Sequence, residues 1–332
     1  MSVRVVAADF VNTSESPRVT EIAQPPVSDD EMLVKIHYAG MNAADWQYSQ
    51  GMMVDFIPDD NVNIMGFEAA GVIVGLGRHV DGFREGDRVM FGRTRRIGDA
   101  GTFAEYIAVP AKLACRVPDH MSLIEAGATP ICFLTSYIAL FADDLGNSKP
   151  GQKVLVHGGS GGVGSFAIQL AKFAGLSVAA TGRAANSEYM IEMGADLAVD
   201  YTNPEKGIVA QVREWAPEGV DVVFDAVRMN TLPDALEALK LGGTLVSITT
   251  TLDRSDIVAQ IRESEARGFR HVICFAHWPD RLEKLPLVEI LTQRGIRIPP
   301  VEVVELVDLQ SAIERLRAGH NRGKLVLKMV SE

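Results

Sequence analysis

The chain has 332 residues, 47% of them hydrophobic, which is enough to bury the cores of about two domains. Its formal net charge of -11 argues against duplex nucleic acid or an anionic membrane surface as the main partner, since both carry negative charge. No apolar run reaches the roughly 18 to 20 residues of a membrane span, the N-terminus lacks a secretory pattern, and the three cysteines are scattered singly, so a reducing, cytoplasmic setting is expected.

From the N-terminus the pattern predicts short strands with turns. Val3 to Phe10 reads as an apolar strand, Pro25 and Pro26 open a loop, and Met32 to His37 alternates like a half-buried strand. Gly66 to Val74, Asp87 to Met90 and Thr102 to Val109 continue the series, punctuated by glycines, which suggests a barrel or sandwich of roughly 120 residues. Arg93, Arg95 and Arg96 form the densest basic patch and read as a solvated loop. Ser122 with Glu125 three residues on is a capping box, opening an apolar segment over Leu123 to Phe141.

Beyond Pro150 and Gly151 the character changes. Val154, Leu155 and Val156 read as a strand buried on both faces, and Val163, Ala167, Leu170, Ala171 and Ala174 fall at helical spacing. Between them Gly159, Gly161 and Gly164 form a G-x-G-x-x-G. Such glycines allow a tight turn, close approach of backbone to a pyrophosphate and close seating of the helix, whose N-terminus offers free N–H groups. A nucleotide-triphosphate loop needs Lys after the last glycine, and Ser165 stands there instead.

Strands and helices then alternate. Strands are predicted at Ser177 to Thr181, Leu197 to Val199, Asp221 to Asp225, Thr244 to Thr249 and His271 to Phe275, with helices around 188–193, 208–215 and 232–239. Alternation of this kind implies βαβ units in a parallel, doubly wound sheet. The last segment returns to the first style, with strands at Val301 to Glu305 and Leu325 to Val330. A helix at Leu309 to Arg317 lies between them, with apolar residues at Leu309, Ala312, Ile313 and Leu316 and Gly319 as its cap.

Nine stretches carry a resemblance: NAADW at 42–46, GFEAAGVI at 66–73, GDRV at 86–89, GTFAEYIAVPA at 101–111, LTSY at 134–137, GGSGGVGS at 158–165, GADLAVDY at 194–201, DVVFD at 221–225 and RGKLVL at 322–327. In these, and in their order, the chain resembles the medium-chain dehydrogenase/reductase superfamily, in its zinc-independent quinone oxidoreductase branch. The resemblance implies an α/β fold, a Rossmann sheet inserted into a mainly-β, partly open barrel-like catalytic domain, with the active site in the cleft between them. The domains are expected at 1–124 with 278–332, and at 125–277.

No metal is expected. Zinc-dependent members would have a cysteine near Asn42 and a histidine at Phe67, and neither is present. NADPH is the expected cofactor. The position at which an NAD enzyme carries a carboxylate falls at Thr181-Gly182, and Arg183 just beyond suits a 2′-phosphate. Asn186 and Tyr201 are candidates to assist, and Ser160, Gly161, Gly162, Val163 and Gly164 form the phosphate loop. By motif position, the resemblance places Thr135 beside the nicotinamide, Thr249 at the cofactor and Lys324 at the pyrophosphate. Asn42, Asp45 and Tyr48 are the candidate catalytic residues. Asn42 and Tyr48 can donate hydrogen bonds to a developing oxyanion, and Asp45 is suited to orient its neighbours. One departure stands out: Arg228 follows Val227 where the family has glycine.

The expected activity is hydride transfer from NADPH to a quinone or α,β-unsaturated carbonyl compound. Reduction of simple ketones or aldehydes, and a non-catalytic NADPH-binding role of the crystallin type, are the alternatives. A homodimer is implied by resemblance.

Overall fold

The computed structural model describes residues 2–7, 17–50, 63–92, 101–227, 232–248, 254–274, 287–293, 295–319 and 321–330. The chain forms two compact units, Met1–Ile131 with His277–Glu332, and Cys132–Ala276.

The first unit opens with β1 (Ser2–Ala7) and β2 (Arg18–Ala23), an antiparallel pair. It continues through β3 (Glu31–Met41), α1 (Ala43–Ser49), β4 (Glu68–Leu76), β5 (Arg88–Gly92), β6 (Tyr106–Pro110), β7 (Ala114–Arg116) and α2 (Leu123–Gly127). Residues of β3 alternate their side chains between faces, and Met32, Val34 and Ile36 are fully buried together with Trp46 and Tyr48 of α1 in one core. The capping box predicted at α2 is present: Ser122 Oγ accepts from Glu125 N–H at 3.2 Å, and Glu125 accepts from Ser122 N–H at 2.8 Å. The apolar segment that follows is two helices rather than one. Pro130 carries no N–H and so breaks a continuing helix, yet suits the first turn of a new one, α3 (Pro130–Phe141).

The second unit runs β8 (Lys153–His157), α4 (Gly162–Phe173), β9 (Ser177–Gly182), α5 (Ser187–Glu192), β10 (Leu197–Asp200), α6 (Ile208–Trp215), β11 (Val220–Asp225), α7 (Leu232–Ala238), β12 (Leu239–Ser247), α8 (Arg254–Ala266) and β13 (Arg270–Ile273). All pairings in its sheet are parallel, in the order β10-β9-β8-β11-β12-β13. This is the doubly wound order with its switch point between β8 and β11, where ligands of such sheets bind beyond the carboxyl ends of the strands. Val154, Leu155 and Val156 are fully buried, as two covered faces require.

The chain then returns to the first unit with α9 (Leu287–Gln293), β14 (Val301–Val304), α10 (Leu309–Ala318) and β15 (Lys324–Lys328). The larger sheet of that unit has the order β14-β15-β3-β4-β5-β7, with β6 also paired to β3; only β14-β15 is parallel. Several predicted strands are shifted: the one from Gly66 is Glu68–Leu76, the one from Thr102 is Tyr106–Pro110 and the last is Lys324–Lys328, while Phe10 and Phe275, the expected ends of two others, lie outside the described residues. No helix of the described residues is long and apolar enough to cross a membrane.

Candidate functional site: a dinucleotide cradle and a buried polar network

In the second unit the turn after β8 is shaped by three glycines with different surroundings. A Cβ on Gly159 would lie 2.8 Å from Ala180 Cβ and 2.9 Å from Met190 Sδ, so this residue is packed against the neighbouring strand and helix. A Cβ on Gly164 would lie 2.1 Å from the Gly158 carbonyl oxygen, so helix and turn touch there. At Gly161 the nearest atom to a Cβ is Gly158 O at 3.6 Å, an ordinary contact, and φ is -79°. Nothing among the described residues demands glycine at 161. The first N–H groups of α4, which no earlier helical carbonyl can accept, follow directly.

The turn is held from β9. Gly158 adopts φ 81°, in the left-handed region, and donates its N–H to Thr181 Oγ1 at 3.1 Å, while Gly159 N–H donates to Thr181 O at 2.9 Å. Thr181, expected beside the ribose, is therefore buried and spends its hydroxyl on the turn. Val163 sits in the first turn of α4, where its carbonyl accepts from Ser136 Oγ of α3 at 2.8 Å; Thr135 on the same helix is buried.

Three residues expected at a 2′-phosphate, Arg183, Asn186 and Tyr201, come together with Ser160 of the phosphate loop where β8, β9 and β10 end. Asn186 Nδ2 donates to Ser160 Oγ at 3.2 Å, and Arg183 Nε donates to Tyr201 Oη at 3.1 Å. The turn from Arg183 to Asn186 is closed by Asn186 N–H on Arg183 O at 2.8 Å. Because Ser160 and Tyr201 accept from within the protein, each keeps its own hydroxyl proton for a ligand, and the terminal nitrogens of Arg183 extend the donor set. Asp200, the carboxylate ending β10, is turned to Thr202, whose N–H and Oγ1 donate at 2.9 and 2.6 Å, which holds its pKa below the ordinary value. Thr249 and Arg228 lie outside the described residues.

Sequence reasoning missed His157. It ends β8 beside the switch point, fully buried, with Nδ1 3.3 Å from Thr181 Oγ1 and Nε2 without a partner among the described residues. Burial lowers its pKa to about 4. A histidine ending an otherwise apolar strand was the available signal.

In the first unit the candidate catalytic residues lie on or beside α1. Asn42 precedes the helix and donates its N–H to Asp45 Oδ2 at 2.6 Å, an N-terminal cap. Tyr48 is buried, its ring edge-on to Phe67 with centroids 6.1 Å apart. The Asn42 side chain, expected to face an oxyanion, is already engaged: Nδ2 donates to Glu68 Oε1 at 2.9 Å and Oδ1 accepts from Lys324 Nζ at 2.5 Å. Lys324, expected at a pyrophosphate, is only 5% exposed and pairs with Glu68 at 2.7 Å. A buried ammonium requires a counter-charge, and Glu68 supplies it. A carboxylate directly before the apolar run AAGVI, at the start of β4, was the sign that a buried partner had to exist.

The chain matches two family models, that of the alcohol dehydrogenase GroES-like domain over residues 28–119 and that of zinc-binding dehydrogenase over residues 162–262. It is 35% identical over 319 residues to 2-methylene-furan-3-one reductase of Solanum lycopersicum, covering 93% of this chain and 74% of the relative. To NADPH-dependent alkenal/one oxidoreductase, chloroplastic, of Arabidopsis thaliana it is 30% identical, covering 97% of this chain and 78% of the relative. Its fold is similar to the quinone oxidoreductase structure from Coxiella burnetii, with a TM-score of 0.84 at 24% identity, covering 99% of this chain and all of that one. The protein belongs to the medium-chain dehydrogenase/reductase superfamily.

Part of that family is named for zinc. Asn42 and Phe67 offer no thiolate or imidazole, and no group of three His, Cys, Asp or Glu that could hold an ion occurs among the described residues.

Proposed function

We propose that the protein is an NADPH-dependent, zinc-independent reductase of quinones or α,β-unsaturated carbonyl compounds. The observation that carries the reading is the pairing of an open glycine at 161 with a cluster of hydrogen-bond donors at Ser160, Arg183, Asn186 and Tyr201. A vicinal diol is held best by a carboxylate acceptor, whereas a dianionic phosphate is held by donors and positive charge. When bound, NADPH supplies the hydride. Gly161 and the first turn of α4 would take the pyrophosphate, and Arg183 and Tyr201 the 2′-phosphate. The names of the two plant relatives, a furanone reductase and an alkenal/one oxidoreductase, favour a conjugated carbonyl as acceptor. Tyr48 and Phe67 pack edge-to-face in the core of the first unit, beside the cap of α1. A cytoplasmic homodimer completes the reading, with sedimentation as its check.

The experiment is NADPH oxidation, followed by nicotinamide absorbance, against a panel of quinones, enones and simple aldehydes. Turnover confined to aldehydes, or tight NADPH binding without turnover of any acceptor, would replace the reading by one of its alternatives. Arg183→Ala is expected to weaken NADPH binding by about tenfold or more, the worth of a charge-assisted hydrogen bond, while NADH binding stays within about twofold. Equal losses for both cofactors would remove the 2′-phosphate assignment.

A further inference from the structure

The first unit holds a buried charge network to which the reading above gives no task. Glu68 begins β4 with no exposure and Lys324 begins β15 at 5%. Besides their ion pair at 2.7 Å, both bind Asn42, Lys324 at Oδ1 and Glu68 Oε1 at Nδ2. The other Glu68 oxygen accepts from Ile131 N–H at 2.7 Å, in the first turn of α3. One carboxylate thus ties together the start of β15, the cap of α1 and the start of α3. The backbone makes room for it: a Cβ on Gly40 would stand 2.4 Å from Glu68 Oε1.

A buried ion pair is a poor source of stability compared with apolar residues of equal volume, and its best-attested use is to select one arrangement among several. The arrangement selected here is that of α1, whose capping residue has its side-chain amide held by both charges and its N–H held by Asp45. We propose that Glu68 and Lys324 are positioning residues that fix α1 through Asn42, and with it Asp45, Trp46 and Tyr48, in the geometry the acceptor requires. Only the assignment of α1 to the acceptor rests on the reductase reading.

The test uses full-length Glu68→Gln, Lys324→Met and the neutral double variant Glu68→Gln/Lys324→Gln. One readout needs no turnover. With Trp215→Phe and Trp278→Phe in the background, Trp46 is the remaining tryptophan and reports on α1. Each single variant is expected to shift Trp46 emission to the red and raise its quenching by acrylamide at least twofold, and the double variant to return towards the parent. The second readout is kcat/KM for the acceptor per NADPH-binding site. It is expected to fall tenfold or more in the single variants, with NADPH affinity within twofold, and to recover in the double variant.

Unchanged Trp46 emission and quenching would overturn the proposal, as would unchanged kcat/KM per binding site. A lower Tm with both readouts unmoved is what a merely structural pair would give, and counts against it. Should the single variants not fold, Glu68→Asp keeps the charge and shortens its reach; a parent-like result in both readouts then overturns the proposal. A parent protein that reduces no acceptor would refute the reductase reading and leave Trp46 to decide this one.

Discussion

Gly161 and Gly164 stand three residues apart in one loop and are glycine for opposite reasons. At 164 the protein itself forbids a side chain, because a Cβ would collide with the Gly158 carbonyl at 2.1 Å. At 161 the protein would accept one, with its nearest atom at 3.6 Å and an ordinary backbone angle. Alanine at 161 therefore leaves the folded state intact and gains slightly from a less flexible unfolded chain, by up to about 1 kcal/mol. Its methyl group occupies the space proposed for the pyrophosphate. Gly161→Ala is expected to hold or raise Tm while weakening NADPH binding about tenfold or more; Gly164→Ala is expected to lower Tm. Thermal unfolding with and without NADPH checks both. An NADPH affinity unchanged in Gly161→Ala would show that the open space is not a ligand site.

Elements were legible where pattern and packing agree. The strand at Val154 to Val156 and the helix after it could be read because a parallel strand covered on both faces is apolar throughout and its helix carries apolar residues at helical spacing. The stretch 232–239 reads as helix to its end, yet Leu239 lies in register with Val220 of β11 and the strand starts there, with an irregularity before Val222. Tertiary pairing outweighed local preference. α8 escaped notice because RSDIVAQIRESEA carries too few apolar residues to form a stripe. In the sites, a glycine pattern is written in adjacent residues and could be read. The contact between Glu68 and Lys324 joins positions far apart in the chain, and only the rule that buried charges are paired hinted at it. At the end of α10 pattern and structure coincide. Gly319 caps the helix at φ 72°, donating its N–H to the carbonyls of Arg315 and Leu316, and a Cβ there would meet nothing within 4 Å. The cost of Gly319→Ala is then purely conformational, about 1 kcal/mol. A urea midpoint unchanged from the parent would contradict it.

For the whole molecule, buried histidines contribute to how stability responds to acid. His157 is fully buried and its pKa is lowered to about 4 by burial. His271 is held between Ser247 and Ser264, each at 3.1 Å; burial lowers its pKa, opposed in part by a backbone hydrogen bond with Gln260. Well above pH 6.5, the ordinary histidine value, both groups are neutral in folded and unfolded chains alike, and neither affects the balance. Below it the unfolded chain takes up protons that the folded one refuses, so stability falls as the pH drops from 6.5 towards 4. For His157 the full loss is about 3 kcal/mol, a large share of the 5 to 15 kcal/mol typical of folded proteins. His157→Asn keeps a polar group near Thr181 and removes the titration. Its unfolding free energy is expected to decline less steeply than the parent's between pH 7 and 4.5, the residual slope coming from His271, His37 and the carboxylates. Urea unfolding at four or five pH values across that range measures the difference. Parallel curves for parent and variant would mean that the surroundings of His157 admit the charged ring, and that the end of β8 is better hydrated than its complete burial implies.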